Sequence, residues 1–437
     1  MRKGILSLAV LGILSGGCGR PPVEQRPPVE DSKEYGKLPG LTASPDLQLG
    51  DELARIVEES GTPEKLSQVT VAEADNVAAG LLDLFPKRQV KSIRRQSEEL
   101  FPPGAFQLNP VELTKAIDFR KKYDAERLEA RTALERTQCD FGIEFMAGVL
   151  AELDFIAVVR ICARLEAFLA AESLADGKPE RAVESLAVML RLASCLGAEK
   201  HVQPRLEAAY LRTEAFRVLQ AIVDDEHTVR ADIERLYEIV REHMKTWPDD
   251  AGAWIGDRAL GLHAYEFVRD GGLLDLLSSE ELDSFGKEGS LSSLSAAALR
   301  NVNADELYYL ETMRKIIDAC GLPYYKRVAL FDSIQADLQE KRNSPKFPLV
   351  AARLLLPGIR ESHVTQTRDR ANWEAWLLAL ALAARRPLPP YGVNPLNGRQ
   401  YRLSTEGNLV VVEDFGTGED GDHPIIRVPD LAGEAKR

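Results

Sequence analysis

Histidine and cysteine are scarce in this sequence, with six and five copies in 437 residues. Cys18, Cys139, Cys162, Cys195 and Cys320 form no C-x-x-C pair, and no histidine stands at ligand spacing beside them. A zinc site of the finger or ribbon kind is therefore not expected. His201, His227, His243, His263, His363 and His423 include no pair at i, i+3 or i, i+4, so no single helix turn offers two imidazoles to a metal. H-E-x-x-H, G-x-S-x-G and the Walker loop are absent. Ser284 and Lys287 give an S-x-x-K spacing in a polar stretch, without the companion S-x-N and K-T-G motifs, so chance explains it. Basic residues are outnumbered too: 55 Lys and Arg against 68 Asp and Glu leave a net charge of −13. With no basic stripe to reverse this locally, a nucleic-acid partner is not expected. Nor does any internal apolar run reach membrane-spanning length without charge. The most apolar one, "FIAVVRICARLEAFLAA", is interrupted by Arg160, Arg164 and Glu166 and reads as a buried helix.

What is present begins with an address. Arg2 and Lys3 precede an apolar stretch from Ile5 to Leu14, and Ser15, Gly16 and Gly17 then lead into Cys18. That is the layout of an export leader, too short to remain as a membrane span. Small residues before a cysteine resemble the bacterial lipobox, in which the cysteine is lipidated and becomes the new N-terminus. Residues 1–17 are thus expected to be a signal peptide, and Cys18 a lipid attachment point that anchors the chain to a membrane. Residues 18–45 follow as a tether, containing two copies of R-P-P-V-E. Paired prolines favour extended polyproline II and make a semi-rigid spacer.

Beyond the tether, hydrophobic content of 45% and charged content of 28% are those of a globular body. From Leu47 to Arg386 the dominant period is helical. "DELARIVEES" repeats Leu53, Ile56 and Val57, and "RADIERLYEIVREHM" places Ile233, Leu236, Ile239 and Val240 on one face. Breaks are expected at "FPPG", "ADGKPE", "TWPDDAG", "RDGG", "GLPYY" and "NSPKFP". Leu165 to Ala193 looks like one tetratricopeptide-type hairpin, with Ala182 and Leu186 where two helices approach closely. No second copy follows at that period, so a plain bundle pair is the competing reading. Trp373 and Trp376 share a face with Leu377 and Leu380 and are expected to anchor the core or its junction with the tail. The fold class is therefore mainly α, a multi-helix bundle or irregular helical-hairpin body over 46–386. Residues 387–437 then form a small antiparallel β-meander packed on the helices. Cys139, Cys162, Cys195 and Cys320 sit in apolar helical contexts, as buried thiols or in one of three pairings that sequence cannot rank.

The tail contains a G-x-G-x-x-G spacing, Gly416, Gly418 and Gly421, after the strand-like "LVVVEDF". A dinucleotide fingerprint needs a helix to open after the glycines, where its amides meet the pyrophosphate. Here Asp422, His423 and Pro424 follow and lead to another strand, and Glu419 and Asp420 would repel phosphate, so no nucleotide is expected. Carboxylates in such a loop suit calcium instead, making Asp414, Glu419, Asp420 and Asp422 the candidate metal ligands. "NPLNGRQYRL" followed by a hairpin and this acidic loop resembles the C-terminal segment of type II secretion major pseudopilins. In that family a D-P-x-x-G-x-P motif precedes strands and a calcium-binding loop. Pro395 and Gly398 match, while Asn394 and Gln400 stand where the family has aspartate and its second proline. The tails of a group of exported helical bacterial proteins are similar. The resemblance covers less than a tenth of the chain and implies an envelope protein with a borrowed tail.

Three functions remain in view. The first is a membrane-tethered lipoprotein in the cell envelope, a helical binding or scaffold module without a cofactor that engages an envelope protein. The second is a calcium-binding, pseudopilin-related accessory of a secretion or pilus system. The third is an envelope hydrolase with an active site assembled from distant residues, which a cleft with converging His, Asp or Ser would mark.

Overall fold

The computed structural model describes residues 46–101, 106, 108–277, 282, 291–344, 346–413 and 425–431. Its helices are α1 (Leu47–Glu58), α2 (Pro63–Leu66), α3 (Val77–Leu81), α4 (Lys87–Leu100), α5 (Pro110–Lys122), α6 (Asp124–Ala133), α7 (Phe155–Ala175) and α8 (Pro179–Gly197). They continue as α9 (Val202–Asp224), α10 (Arg230–Lys245), α11 (Asp250–Arg269), α12 (Leu291–Arg300), α13 (Val302–Ala319), α14 (Tyr324–Lys341) and α15 (Ile359–Ala383). The strands β1 (Arg402–Glu406), β2 (Leu409–Glu413) and β3 (Ile426–Pro429) close the chain. The protein is thus mainly α with a small C-terminal antiparallel sheet.

Local chemistry explains the helix ends. The Asp46 side chain accepts from the amides of Gln48 and Leu49 and opens α1. Asn109 and Glu112 form a reciprocal capping box on α5, with Pro110 at its first position. Gly177 takes φ +68° between α7 and α8, and Pro179 then starts α8. Helices also stop where the sequence breaks at "TWPDDAG", "RDGG", "GLPYY" and "NSPKFP" predict. One face differs from expectation. In α1 the buried set is Leu49, Glu52, Leu53 and Ile56, while Val57 is exposed. Glu52 holds the inward position because Arg314 of α13 meets its carboxylate at 3.0 Å.

Two cores result. The first is built on α7, α8 and α9 and extends to α10, the second half of α15 and the sheet. The second gathers α1, α11, α13, α14 and a π-helical turn at Ala351–Leu355. Three helices belong to both. Val202 of α9, Trp254 and Tyr265 of α11 and Ile359 of α15 enter the second core. Ala208 to Val223 of α9, Ala259 and Leu260 of α11, and Trp373 to Ala383 of α15 enter the first.

The hairpin expected from Leu165 to Ala193 is present as α7 and α8, with Ala182 and Leu186 fully buried at the approach. It does not propagate into a stack. Helix α9 packs on α7 and α8, but α10 pairs with α8 and with α15, and α15 packs on both α9 and α10. The C-terminal helix thus takes the place beside α9 that α10 would hold in a hairpin repeat. The body is a bundle closed by a distant segment.

The sheet has order β1-β2-β3, with Arg402 opposite Glu413 and Val412 opposite Ile426. Val410, Val411, Val412, Ile426 and Val428 are buried, and α15 covers β2 and β3. Three short strands need such a cover, as they cannot be stable alone. The first hairpin turn is short: β1 runs through Glu406, and Gly407 at φ +63° and Asn408 alone connect it to β2. Trp373 and Trp376 are buried in the first core, where both rings stack on Phe216 of α9. Past Ala383, Arg385 adopts φ +55°, and the amide of Arg386 reaches back to the Ala381 carbonyl at 2.8 Å. This left-handed closure ends α15 before Pro387.

The tightest backbone approach is at Gly256 of α11, where a Cβ would lie 1.5 Å from the Lys200 carbonyl oxygen. Backbone cannot give way as a side chain can. Gly256→Ala should destabilise the fold by about 2 kcal/mol or more despite alanine's better helix propensity. Urea unfolding of the purified chain measures this, and a variant as stable as the parent would refute the close contact.

Candidate functional site

The residues singled out in the sequence as sites, Cys18, Asp414, Glu419, Asp420 and Asp422, lie outside the described residues. So do Gly416, Gly418, Gly421, His423, Ser284 and Lys287. Among the described residues no group of three or more His, Cys, Asp or Glu side chains is set to hold a metal. The motif that carries the pseudopilin resemblance is described, and it folds into a tight turn. The Asn394 side chain accepts from the Leu396 amide at 2.8 Å, the Gly398 amide reaches the Asn394 carbonyl at 2.9 Å, and Gly398 sits at φ +74°.

The densest polar centre lies along α15, a helix buried on most of its circumference. Ser362, His363, Thr367, Asp369 and Glu374 are all buried on it. Asp369 accepts from Arg212 of α9 at 2.5 Å, and both side chains are about 4% exposed. The Arg212 guanidinium also lies over the Trp247 ring, 4.3 Å from its centroid. Gly197 at the end of α8 leaves it room, since a Cβ there would fall 2.8 Å from Arg212 Nη2. Burial pushes the Asp369 carboxyl up to about 6, with Arg212 pulling the other way.

Beside this pair, His243 of α10 and Ser194 of α8 meet at 2.9 Å through Nδ1 and Oγ. The His243 ring stands edge-on to Trp247 and Trp373. A serine on a histidine beside an aspartate suggests nucleophilic chemistry, so its wiring matters. In a hydrolytic triad the carboxylate bonds the imidazole and stabilises its charged form. Here Asp369 bonds Arg212, and burial, reinforced by that guanidinium, holds His243 well below the usual histidine range. Its other nitrogen, Nε2, is buried without a protein partner. Ser194 Oγ also donates to the Leu190 carbonyl at 3.1 Å, an arrangement in which the serine oxygen accepts from the Nδ1–H tautomer of His243. The cluster keeps its imidazole neutral and ties α8, α9, α10 and α15 together.

Two further contacts complete the helix. His363 Nδ1 faces Arg327 Nη1 of α14 at 2.9 Å and stacks on Trp254 with ring centroids 4.4 Å apart. Burial, then Arg327, lower its pKa to about 3, so it too is neutral. Arg327 in turn bonds Asp250 at 2.8 Å and the Cys320 carbonyl at 2.6 Å. Glu374 accepts from the Tyr401 hydroxyl at 2.9 Å and thereby holds the start of the tail.

Sequence reasoning singled out none of Arg212, Asp369, Ser194 or Arg327. The available signal was an aromatic helix with no apolar stripe, whose polar residues fall at every angle around the axis. Compared with protein-family models, curated proteins and solved structures, the chain matches none.

Truncating Arg212 leaves the Asp369 carboxyl buried with no countercharge. Arg212→Ala is expected to cost about 3–5 kcal/mol in chemical denaturation, and Arg212→Met with Asp369→Leu should recover much of it. A loss under about 1 kcal/mol in the single variant would show that the pair does not hold α15 in place.

Proposed function

We propose that the protein is a lipid-anchored lipoprotein of a bacterial cell envelope, facing outside the cytoplasm. Its helical body acts as a binding or scaffold module for another envelope protein. The observation that carries this reading is the order of parts along the chain. A leader ends at Cys18, a proline-rich tether follows, and α1 opens at once behind the capping residue Asp46. The inward-facing charges on α15 support a structural role, because they are matched to each other and to neighbouring helices. The junction of the tail turn with α14 supplies apolar surface: Leu322, Tyr325 and Val393 are exposed there, and the Tyr325 amide bonds the Pro395 carbonyl at 3.3 Å. Tyrosine with aliphatic neighbours is the composition that protein contacts favour. Feeding a labelled fatty acid to cells should mark the wild-type chain and send it to the membrane fraction, while Cys18→Ser stays unlabelled and soluble. A partner should then co-purify in fixed ratio from detergent extracts, less of it with Tyr325→Ser. An unlabelled wild-type chain removes the anchor, and an anchored chain that extracts alone removes the scaffold.

A second reading, the calcium-binding accessory related to pseudopilins, is favoured by the sheet register. With Val412 opposite Ile426, the acidic segment carrying Asp414, Glu419, Asp420 and Asp422 connects two paired strands. Oxygen ligands gathered between strand ends are what calcium takes. Under this reading millimolar calcium raises the melting temperature and protects the tail from protease, and Asp420→Asn with Asp422→Asn abolishes both effects. Identical melting curves with calcium and with chelator would end it.

A further inference from the structure

Helix α8 carries a second, separate feature on its opposite end from the hairpin turn. The segment 136–141 runs alongside it and is tied to it at two points. Arg191 Nη2 donates to the Arg136 carbonyl at 2.6 Å, and the Phe141 amide donates to Glu199 Oε1 at 3.0 Å. Cys195 follows Arg191 by one helical turn on the same face of α8, and Glu199 sits just past the helix end at Gly197. Cys195 lies between those two residues, and Cys139 lies between the two tied points of the segment.

The other side of the segment is pinned as well. The Val77 amide bonds the Gln138 carbonyl at 2.8 Å, and the Gln138 amide bonds the Asp75 carbonyl at 3.2 Å. Asn76 clasps Asp140 twice, giving its amide to the carbonyl at 2.8 Å and accepting the Asp140 amide at 3.0 Å. A one-residue slip would break all of these, so the register that sets Cys139 beside Cys195 is fixed. Both residues are free thiols in the structure, and Cys139 packs against the first core, which contains Cys195.

We propose that Cys139 and Cys195 are a disulfide pair, which an external disulfide oxidises to staple segment 136–141 onto α8. Of the three ways to pair the four body cysteines, the one containing this bond would also join Cys162 to Cys320. That second link is excluded because Cys162 lies in the first core and Cys320 in the second. Those two therefore stay reduced. The bond forms by exchange: one cysteine sulfur attacks the external disulfide, and the other then displaces it from the mixed disulfide. Two protons and two electrons leave the protein, and the external disulfide becomes two thiols. In the folded dithiol the Cys195 contact, burial and the nearby Glu199 all push the Cys139 pKa up, which disfavours the attacking thiolate. The docked dithiol is therefore a slow nucleophile, and refolding in the presence of the oxidant lets the bond close as the register forms. The inference needs only a thiol-disulfide oxidant and stands independently of the lipid anchor.

The test is to refold the reduced full-length chain in a glutathione redox buffer, block free thiols, digest without reduction and map the peptides by mass. The expected product links the peptides of Cys139 and Cys195, lighter by two hydrogens, with Cys162 and Cys320 recovered as thiols. The oxidised chain should melt at higher temperature than its reduced form, whereas Cys195→Ser shows no such difference and yields no linked peptide. Recovery of both cysteines as blocked thiols after oxidative refolding overturns the proposal. So does a dominant link involving Cys18, Cys162 or Cys320.

Discussion

The structure depends on the burial of α15, a C-terminal helix enclosed by α9, α10, α14 and strands β2 and β3. A helix with polar residues at many angles cannot enter a core unless each group finds a partner. Arg212 answers Asp369, Arg327 faces His363, and Tyr401 answers Glu374. These contacts come from α9, α14 and the tail, so docking α15 fixes those elements relative to one another. It also joins the two cores, since Ile359 and Trp373 lie in different ones.

The same constraint recurs in the rest of the body. Arg164 is almost fully buried in α7 and bonds Glu214, Tyr210 and Ser97 on neighbouring helices. Glu166, two residues on, is met by Arg127 and Arg131 of α6. Asp305 accepts from Tyr265 and from the amides of Val350 and Ala351, so a carboxylate caps the irregular turn that precedes α15. Buried ion pairs of this kind add little net stability over apolar packing, but losing one partner is costly. Their effect here is to penalise wrong docking of helices that are otherwise similar apolar surfaces.

Much of the architecture could be read from the chain. Helical period, proline and glycine breaks, and the β-rich tail are local signals, and Gly177 with Pro179 marks a hairpin that the fold retains. Side-chain burial was legible where one stripe was apolar, as with Ile233, Leu236 and Val240. It failed at Val57, where a charged residue from α13 decided which face of α1 turned inward. The polar centre on α15 was illegible for the same reason. Nothing near Asp369 in sequence indicates Arg212, which lies 157 residues away.

Sequence alone determined the helical elements, most of their boundaries and the meander, because each rests on residues within a few positions of one another. Tertiary structure decided the rest. It placed α15 where a hairpin repeat would have put α10, turned Ser194 and His243 into a neutral buried contact, and set Cys139 opposite Cys195. Those outcomes depend on which distant groups share a low-dielectric interior, where each charge and each donor must be matched by whatever the fold brings beside it.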